Sequence, residues 1–304
     1  MHNHPITKRK FILGTDWWTD CDDAVAIRLL ARAAKRGDID LLGIAINACM
    51  EHSVASLKGY LASEGLTDVP LGIDLTATNP DDHPPYQTRL AKNLCPSASN
   101  ADAIDALRLY RMMLATAEAP VEIIEIGFPQ VLAALIESLA DDVSPKTGLE
   151  LLLEKVSKFW IMAGKWDRDG EKEHNFCHNV RSRVAAEKLC RLCPVPITFL
   201  GWEIGCEVIT GAKLAKDDVL HKILVDHGSA NGRSSWDPMT VQLALIGDEA
   251  AAGYDTVRGT ARVDAETGAN YFIPSESGSH QYVVRNFDVT YYENAINEAI
   301  ASRN

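Results

Sequence analysis

Short apolar runs alternate along this chain with longer amphipathic segments. "KFILGTD" predicts a strand, and "DDAVAIRLLARAAKRG" predicts a helix whose apolar positions recur on one face and whose basic last turn ends at Gly37. "IDLLGIAINA" reads as a second strand, "EHSVASLKGYLASEG" as a second helix and "VPLGID" as a third strand. Residues 75–100, rich in Pro, Asp and Asn, predict a long irregular connection. Inside a compact domain such a segment is more often a binding loop than spare chain. Beyond it, "ADAIDALRLYRMMLATAEA" and "PQVLAALIESLAD" predict helices on either side of the strand "VEIIEIG", and "KVSKFWIMAG" predicts the next strand. "NFCHNVRSRVAAEKLCRL" is a loop running into a helix, and "VPITFLGWEIGCEV" a strand and turn. Two helical segments follow, "KLAKDDVLHKILVDHG" and "DPMTVQLALIGD". "YDTVRGTARVDAETGANYFI" and "SHQYVVRNFDVT" predict antiparallel strands, and "YYENAINEAIAS" a closing helix.

Strands alternating with helices over most of the length predict an α/β fold: an open, mostly parallel, Rossmann-like sheet with helices on both faces and an antiparallel C-terminal extension. The expectation is one domain over residues 1–304, with 1–10 a flexible tail. In such sheets ligands bind outside the carboxyl ends of the strands, so the loops at 14–23, 47–52, 127–130 and 163–175 share one rim. The first of these carries four aspartates, Asp16, Asp20, Asp22 and Asp23. Carboxylates crowded into a cleft repel one another unless something offsets them, and a cation would do so. Asp22 and Asp23 also suit a helix start, and Asp237, before Pro238, suits an N-cap. Capping occupies one or two carboxylates and leaves the others unexplained.

Composition narrows the classes of function. The 304 residues, 46% hydrophobic and 24% charged, suffice for a full core. A net charge of -12 without a basic block argues against nucleic acid as ligand. No run is long enough for a membrane span, and no secretory h-region follows the basic start, so a soluble cytoplasmic protein without a membrane partner is the expectation. Seven cysteines, an odd number, fit reduced thiols better than a disulfide framework. Cys190 and Cys193 form one CxxC, open to reading as half a zinc site, a redox pair or ordinary buried thiols. Phosphate-cradling glycine motifs, G-x-S-x-G and H-E-x-x-H are all missing. A loop of carboxylates without those glycines suits a hard cation held by oxygen, calcium or magnesium more than zinc.

"ILGTDWWTDCDDAVAI" resembles the amino-terminal signature of the inosine-uridine nucleoside hydrolases, an apolar strand ending in DTD followed by a short loop and DDA. The likeness runs from Phe11 to about Gly247 with its motifs in family order. It implies water-driven cleavage of the N-glycosidic bond of ribonucleosides with Ca2+ at the bottom of the pocket, and a homodimer or homotetramer. By the resemblance Asp16 ligates calcium and acts on the attacking water, Asp22 engages the ribose hydroxyls, and Asp23 is a bidentate calcium ligand. Ile126 supplies a backbone carbonyl, and Asp237 completes the calcium shell. "MAG" at 162–164 followed by "EHNF" at 173–176 is similar to the family's Met-Gly-Gly and Glu-Phe-Asn, which places Glu173 and Asn175 on the ribose. Asn47, close to where the family has its pocket asparagine, is a further substrate-binding candidate.

Departures from the family pattern fall on the leaving-group and sugar sides, and the family's pocket asparagine would fall around Cys49 and Met50, a turn beyond Asn47. Trp236 stands where many members have a histidine, and an indole stacks on a base but does not protonate it. Asp167 stands where a sugar-binding asparagine is usual, and it and His83 are the candidates for the leaving-group acid. The Trp17-Trp18 doublet either walls the base or packs beneath its loop, and His174 is expected to point away from its neighbours Glu173 and Asn175. An acidic pocket has a catalytic rationale in this chemistry, because positive charge develops on the sugar as the bond to the base breaks.

Overall fold

The computed structural model describes residues 8–78 and 84–301, so the expectations for most of the N-terminal tail and for His83 lie outside the described residues. In chain order the strands are β1 (Arg9–Thr15), β2 (Ile39–Ile46), β3 (Leu71–Ile73), β4 (Ile104–Asp105), β5 (Val121–Glu125), β6 (Val156–Met162), β7 (Glu171–Lys172), β8 (Ile197–Leu200), β9 (Ile209–Thr210), β10 (Arg233–Ser234), β11 (Tyr254–Val263), β12 (Ala269–Pro274) and β13 (His280–Arg285). Eleven of them form one sheet in the order β4-β3-β2-β1-β5-β6-β8-β13-β11-β12-β7, while β9 and β10 pair separately. The run from β4 to β13 is parallel, and β11, β12 and β7 add antiparallel to it.

The apolar period of two explains the layering. Phe11 and Leu13 of β1 face one core and Ile12 the other; Trp160 and Met162 of β6 join the first core, Phe159 and Ile161 the second. Both faces are therefore covered, and the predicted α/β class holds, antiparallel extension included. The chain leaves β1 for β2 on one side and returns to β5 on the other, so the order reverses at β1 and opens a crevice at its carboxyl end.

Several elements depart from the sequence expectation. Part of the supposedly irregular 75–100 stretch is a helix, Gln87–Leu94, with Leu90 and Ala91 buried. A second unforeseen helix, Gly148–Lys155, starts at a Thr147–Glu150 capping box. Asp237 is not an N-cap: helix Trp236–Ile246 is entered from Ser235, which puts Asp237 inside the first turn. All seven cysteines are free, and burial pushes the thiols of Cys190 and Cys193 up, Cys193 to about 12. Such thiols are inert at neutral pH. Among the described residues no helix is long and apolar enough to cross a membrane.

Candidate active site

The first loop owes its shape to Trp17. Its backbone is left-handed, φ 45°, a region that bulky L residues rarely occupy. The Trp17 N–H donates to Thr15 Oγ1 at 3.1 Å and to Asp23 Oδ1 at 3.3 Å, and its indole N–H to Ser56 Oγ at 2.8 Å. The ring is buried between Tyr60 and Tyr86. The tryptophan doublet thus splits its duties, Trp17 packing beneath the loop and Trp18 lining the cavity above.

That cavity, ≈ 280 Å³, opens at the carboxyl ends of β1, β5, β6 and β8. At its base lie Asp22 and Asp23 from the first turn of helix Asp22–Arg36 and Asp237 from the first turn of helix Trp236–Ile246. One carboxylate oxygen from each lies within 4.8 Å of those of the other two, and all three side chains are buried. Burial foremost, then repulsion from neighbouring aspartates, Asp20 on Asp22, Asp16 on Asp23 and Asp22 on Asp237, pushes each of these acids well above the usual carboxylate range. Asp16 lines the same cavity and is raised likewise by burial, then by Asp22, Asp20 and Glu125. Buried carboxylates gathered in this way form an oxygen donor set that fits a hard divalent ion. Ile126 also lines the cavity.

Beside this cluster, the Glu173 carboxylate accepts three backbone N–H groups, from Gly164 (3.0 Å), Asn175 (2.8 Å) and Phe176 (3.3 Å). It caps the short helix His174–Cys177 and pins it to the end of β6. Burial nevertheless raises Glu173 to about 7. Asn175 donates to the Met162 carbonyl at 2.9 Å, so the "MAG" and "EHNF" segments are tied together. His174, expected to point away, lines the cavity with them.

The upper wall is aromatic. Trp202, 42% exposed, lies with its ring 6.3 Å from that of Trp236, and its carbonyl accepts the Trp236 indole N–H at 2.7 Å. Trp18 sits among Phe128, His174 and His178. One cation lines the cavity among the described residues, Arg233, paired with Asp20 through Nε–Oδ1 at 2.9 Å and Nη2–Oδ2 at 2.6 Å. Burial works upward on Asp20, yet the Arg233 guanidinium holds it below its ordinary range.

The sequence candidates Asp16, Asp22, Asp23, Ile126, Glu173, Asn175, Trp236 and Asp237 thus converge on one cavity. Two do not line it. Asp167 lies on the turn beyond, its side chain 50% exposed and 3.0 Å from Lys165 Nζ. Asn47 is buried behind the rim, where its amide donates to Glu125 at 2.8 Å and its carbonyl oxygen accepts the Phe128 N–H at 2.9 Å, bracing the loop that carries Ile126. Sequence reasoning missed Trp202, Arg233 and Glu125. The Trp202 and Arg233 segments are too short for periodicity to register, and an acid closing an apolar strand gives no signal of its own.

No protein-family model matches the sequence, and no curated protein matches it. Solved structures do match over nearly the whole length. A plant nucleoside hydrolase is 18% identical, with 97% of this chain and 99% of that chain covered at a TM-score of 0.72. The inosine-uridine preferring nucleoside hydrolase of Bacillus anthracis is 14% identical, with 96% and 99% covered at 0.69. The type III effector XopQ, complexed with adenosine diphosphate ribose, is 16% identical, with 98% and 96% covered at 0.67. With helices on both faces of its parallel sheet and the antiparallel strands at one end, the chain has the fold of the inosine-uridine preferring nucleoside hydrolases.

Proposed function

We propose that the protein is a calcium-dependent hydrolase of the N-glycosidic bond of ribonucleosides, releasing base and ribose. The observation that carries this reading is the meeting of Asp22, Asp23 and Asp237 at the base of a cavity walled by indoles. Those three carboxylates, with Asp16 and the Ile126 carbonyl beside them, would hold the ion. Bound there, calcium would polarise a water and the vicinal hydroxyls of the sugar. Asp16 accepts the proton of the attacking water; its raised affinity for protons suits a base, provided the cation keeps it ionised until then. Glu173 and Asn175 flank the ribose, and the anionic surround stabilises the cation that develops on the sugar ring. The Trp202 and Trp236 rings face the base. As the C1′–N bond breaks, its electron pair passes to the base nitrogen and the water oxygen bonds to C1′.

The test is release of reducing sugar from inosine, adenosine, uridine and p-nitrophenyl riboside, with calcium and after chelation. Activity lost on chelation, restored by calcium and abolished in Asp23→Asn supports the reading; unchanged activity in chelator removes the metal from it. A second reading, a ribosyl-binding protein without turnover, is favoured by one observation, the adenosine diphosphate ribose complex of the similar effector. Saturable binding of that compound or of nucleoside, without release of base or ribose, would favour it.

A further inference from the structure

We propose that Arg233 is the group that stabilises the departing base, and that it does so as a fixed cation, so that the base leaves as an anion and is protonated afterwards by solvent. The inference rests on the N-ribohydrolase reading above and names the substrate class of the same site: ribosyl compounds whose leaving group can carry negative charge and accept a hydrogen bond.

Among the described residues the charged side chains of the cavity lining are the acids Asp16, Asp20, Asp22, Asp23, Glu173 and Asp237 and this one guanidinium. Such a lining favours positive charge on the sugar but opposes negative charge on the leaving group, and only Arg233 reverses the sign locally. Its position is built. Both oxygens of Asp20 hold Nε and Nη2, and Asp20 is itself fixed by the Cys21 N–H at 2.7 Å. The side-on pairing leaves the two N–H bonds of Nη1 for another acceptor. The guanidinium carbon lies 5.3 Å from the Trp236 ring, within the indole wall proposed to face the base.

Among the described residues, Trp236 is spent on the Trp202 carbonyl, Asp167 lies outside the lining, ion-paired to Lys165, and His174, which lines the cavity, is lowered to about 4 by burial and so carries no proton to give as an imidazolium near neutral pH. Arginine does not release its proton at any working pH; it offers a charge-assisted hydrogen bond in place of acid catalysis. The balance closes without a side-chain acid. The C1′–N bond breaks with its pair on nitrogen, water oxygen bonds to C1′, Asp16 takes the water's proton and releases it to solvent, and solvent protonates the departed base.

Arg233→Gln and Arg233→Lys, checked for folding by thermal melts, should be compared with the parent on inosine, phenyl riboside and p-nitrophenyl riboside. Loss of a positioned donor at a developing anion typically costs ~100- to 1,000-fold in kcat, and that loss is expected for Arg233→Gln on inosine. On p-nitrophenyl riboside, whose anion is already stable, less than about 10-fold is expected. The rate should steepen with leaving-group acidity across the series, Arg233→Lys should recover part of the loss, and inhibition by free ribose should be unaltered. Equal losses on all three substrates, or full inosine turnover in Arg233→Gln, would overturn the role of Arg233 alone. A folded parent that releases neither base nor nitrophenolate overturns the hydrolase reading and this inference with it.

Discussion

The backbone N–H of Asp237 donates to Oδ2 of Asp22 at 3.2 Å, joining two helix starts that lie 215 residues apart in the chain. The bond ties one acidic first turn to the other and so keeps the carboxylates of Asp22, Asp23 and Asp237 together. Each is raised well above its ordinary range, by burial first. Binding a divalent cation must therefore expel protons. Calorimetry of calcium binding near pH 6 in buffers of different ionisation enthalpy should register that release, and affinity should strengthen as pH rises. Because changes in residues that merely support ligands typically cost ~10- to 100-fold, Asp23→Asn and Asp237→Asn should each lose at least that much. At 100 times the dissociation constant, calcium should add about 2.7 kcal/mol to the unfolding free energy. Equal calcium affinity in parent and Asp237→Asn would dissociate Asp237 from the ion.

Glu173 carries a pH dependence of opposite consequence. Its carboxyl is raised to about 7, from an ordinary 4.5, by burial. Between those values the folded chain keeps a proton that the unfolded chain has released, so this group makes the protein less stable as pH rises through that window, with no further change above it. Glu173→Gln should remove that slope. The variant has its own cost, because the carboxylate accepts three N–H groups and an amide presents one NH2 to those donors. A loss of ~1 to 3 kcal/mol is expected where a buried donor goes unmatched. Urea melts at pH 5 and pH 8 should show the gap between parent and variant narrowing with pH; a constant gap would mean that Glu173 titrates normally.

Much of this arrangement was legible in the sequence, because the signals that fix it are local. Phe11 and Leu13 facing one way and Ile12 the other follow from strand periodicity. The acidic loop stands out because four aspartates exceed what helix capping explains. Glu171–Lys172 was illegible: two residues make a strand only because the distant Ala269 and Asn270 offer partners. Asp167 was placed on the ribose by alignment of motifs, but the chain turns away at that point and Lys165 takes the carboxylate outward. Arg233 gave no signal because its meaning depends on Asp20, 213 residues earlier, which it meets only in the folded chain.

Gly14 offers a test of how tightly the floor is packed. A Cβ there would clash with Oε2 of Glu125. That carboxylate is fully buried and its Oε1 is held by Asn47 at 2.8 Å and the Gly127 N–H at 3.0 Å, so making room for the Cβ would turn Oε2 at the expense of those two bonds. Gly14→Ala should destabilise by the ~1 to 3 kcal/mol typical of an overfilled core, visible in denaturant melts. It should also weaken calcium binding, since Glu125 precedes Ile126. The double variant Gly14→Ala, Glu125→Gln should remain clashed, whereas Gly14→Ala, Glu125→Ala should regain packing room; a single variant as stable as the parent would show that Glu125 has room to shift.

Trp202 isolates recognition of the base from stability. It is 42% exposed, and only its carbonyl, which any residue supplies, holds the Trp236 indole. Trp202→Ala should therefore fold almost as well as the parent, within the few tenths of a kcal/mol usual for surface changes. An aromatic ring stacked on a base is worth ~1 to 3 kcal/mol. Its loss should raise KM for purine nucleosides by about 5- to 150-fold on that scale. The effect on p-nitrophenyl riboside should be smaller, because its single ring overlaps less of the wall. Trp202→Phe should restore most of the affinity, as a stacking contact requires and a hydrogen bond from the indole does not. If Ala and Phe behave alike and KM for inosine stays at the parent value, the base does not rest on Trp202, and the aromatic wall must act through Trp236 or Trp18.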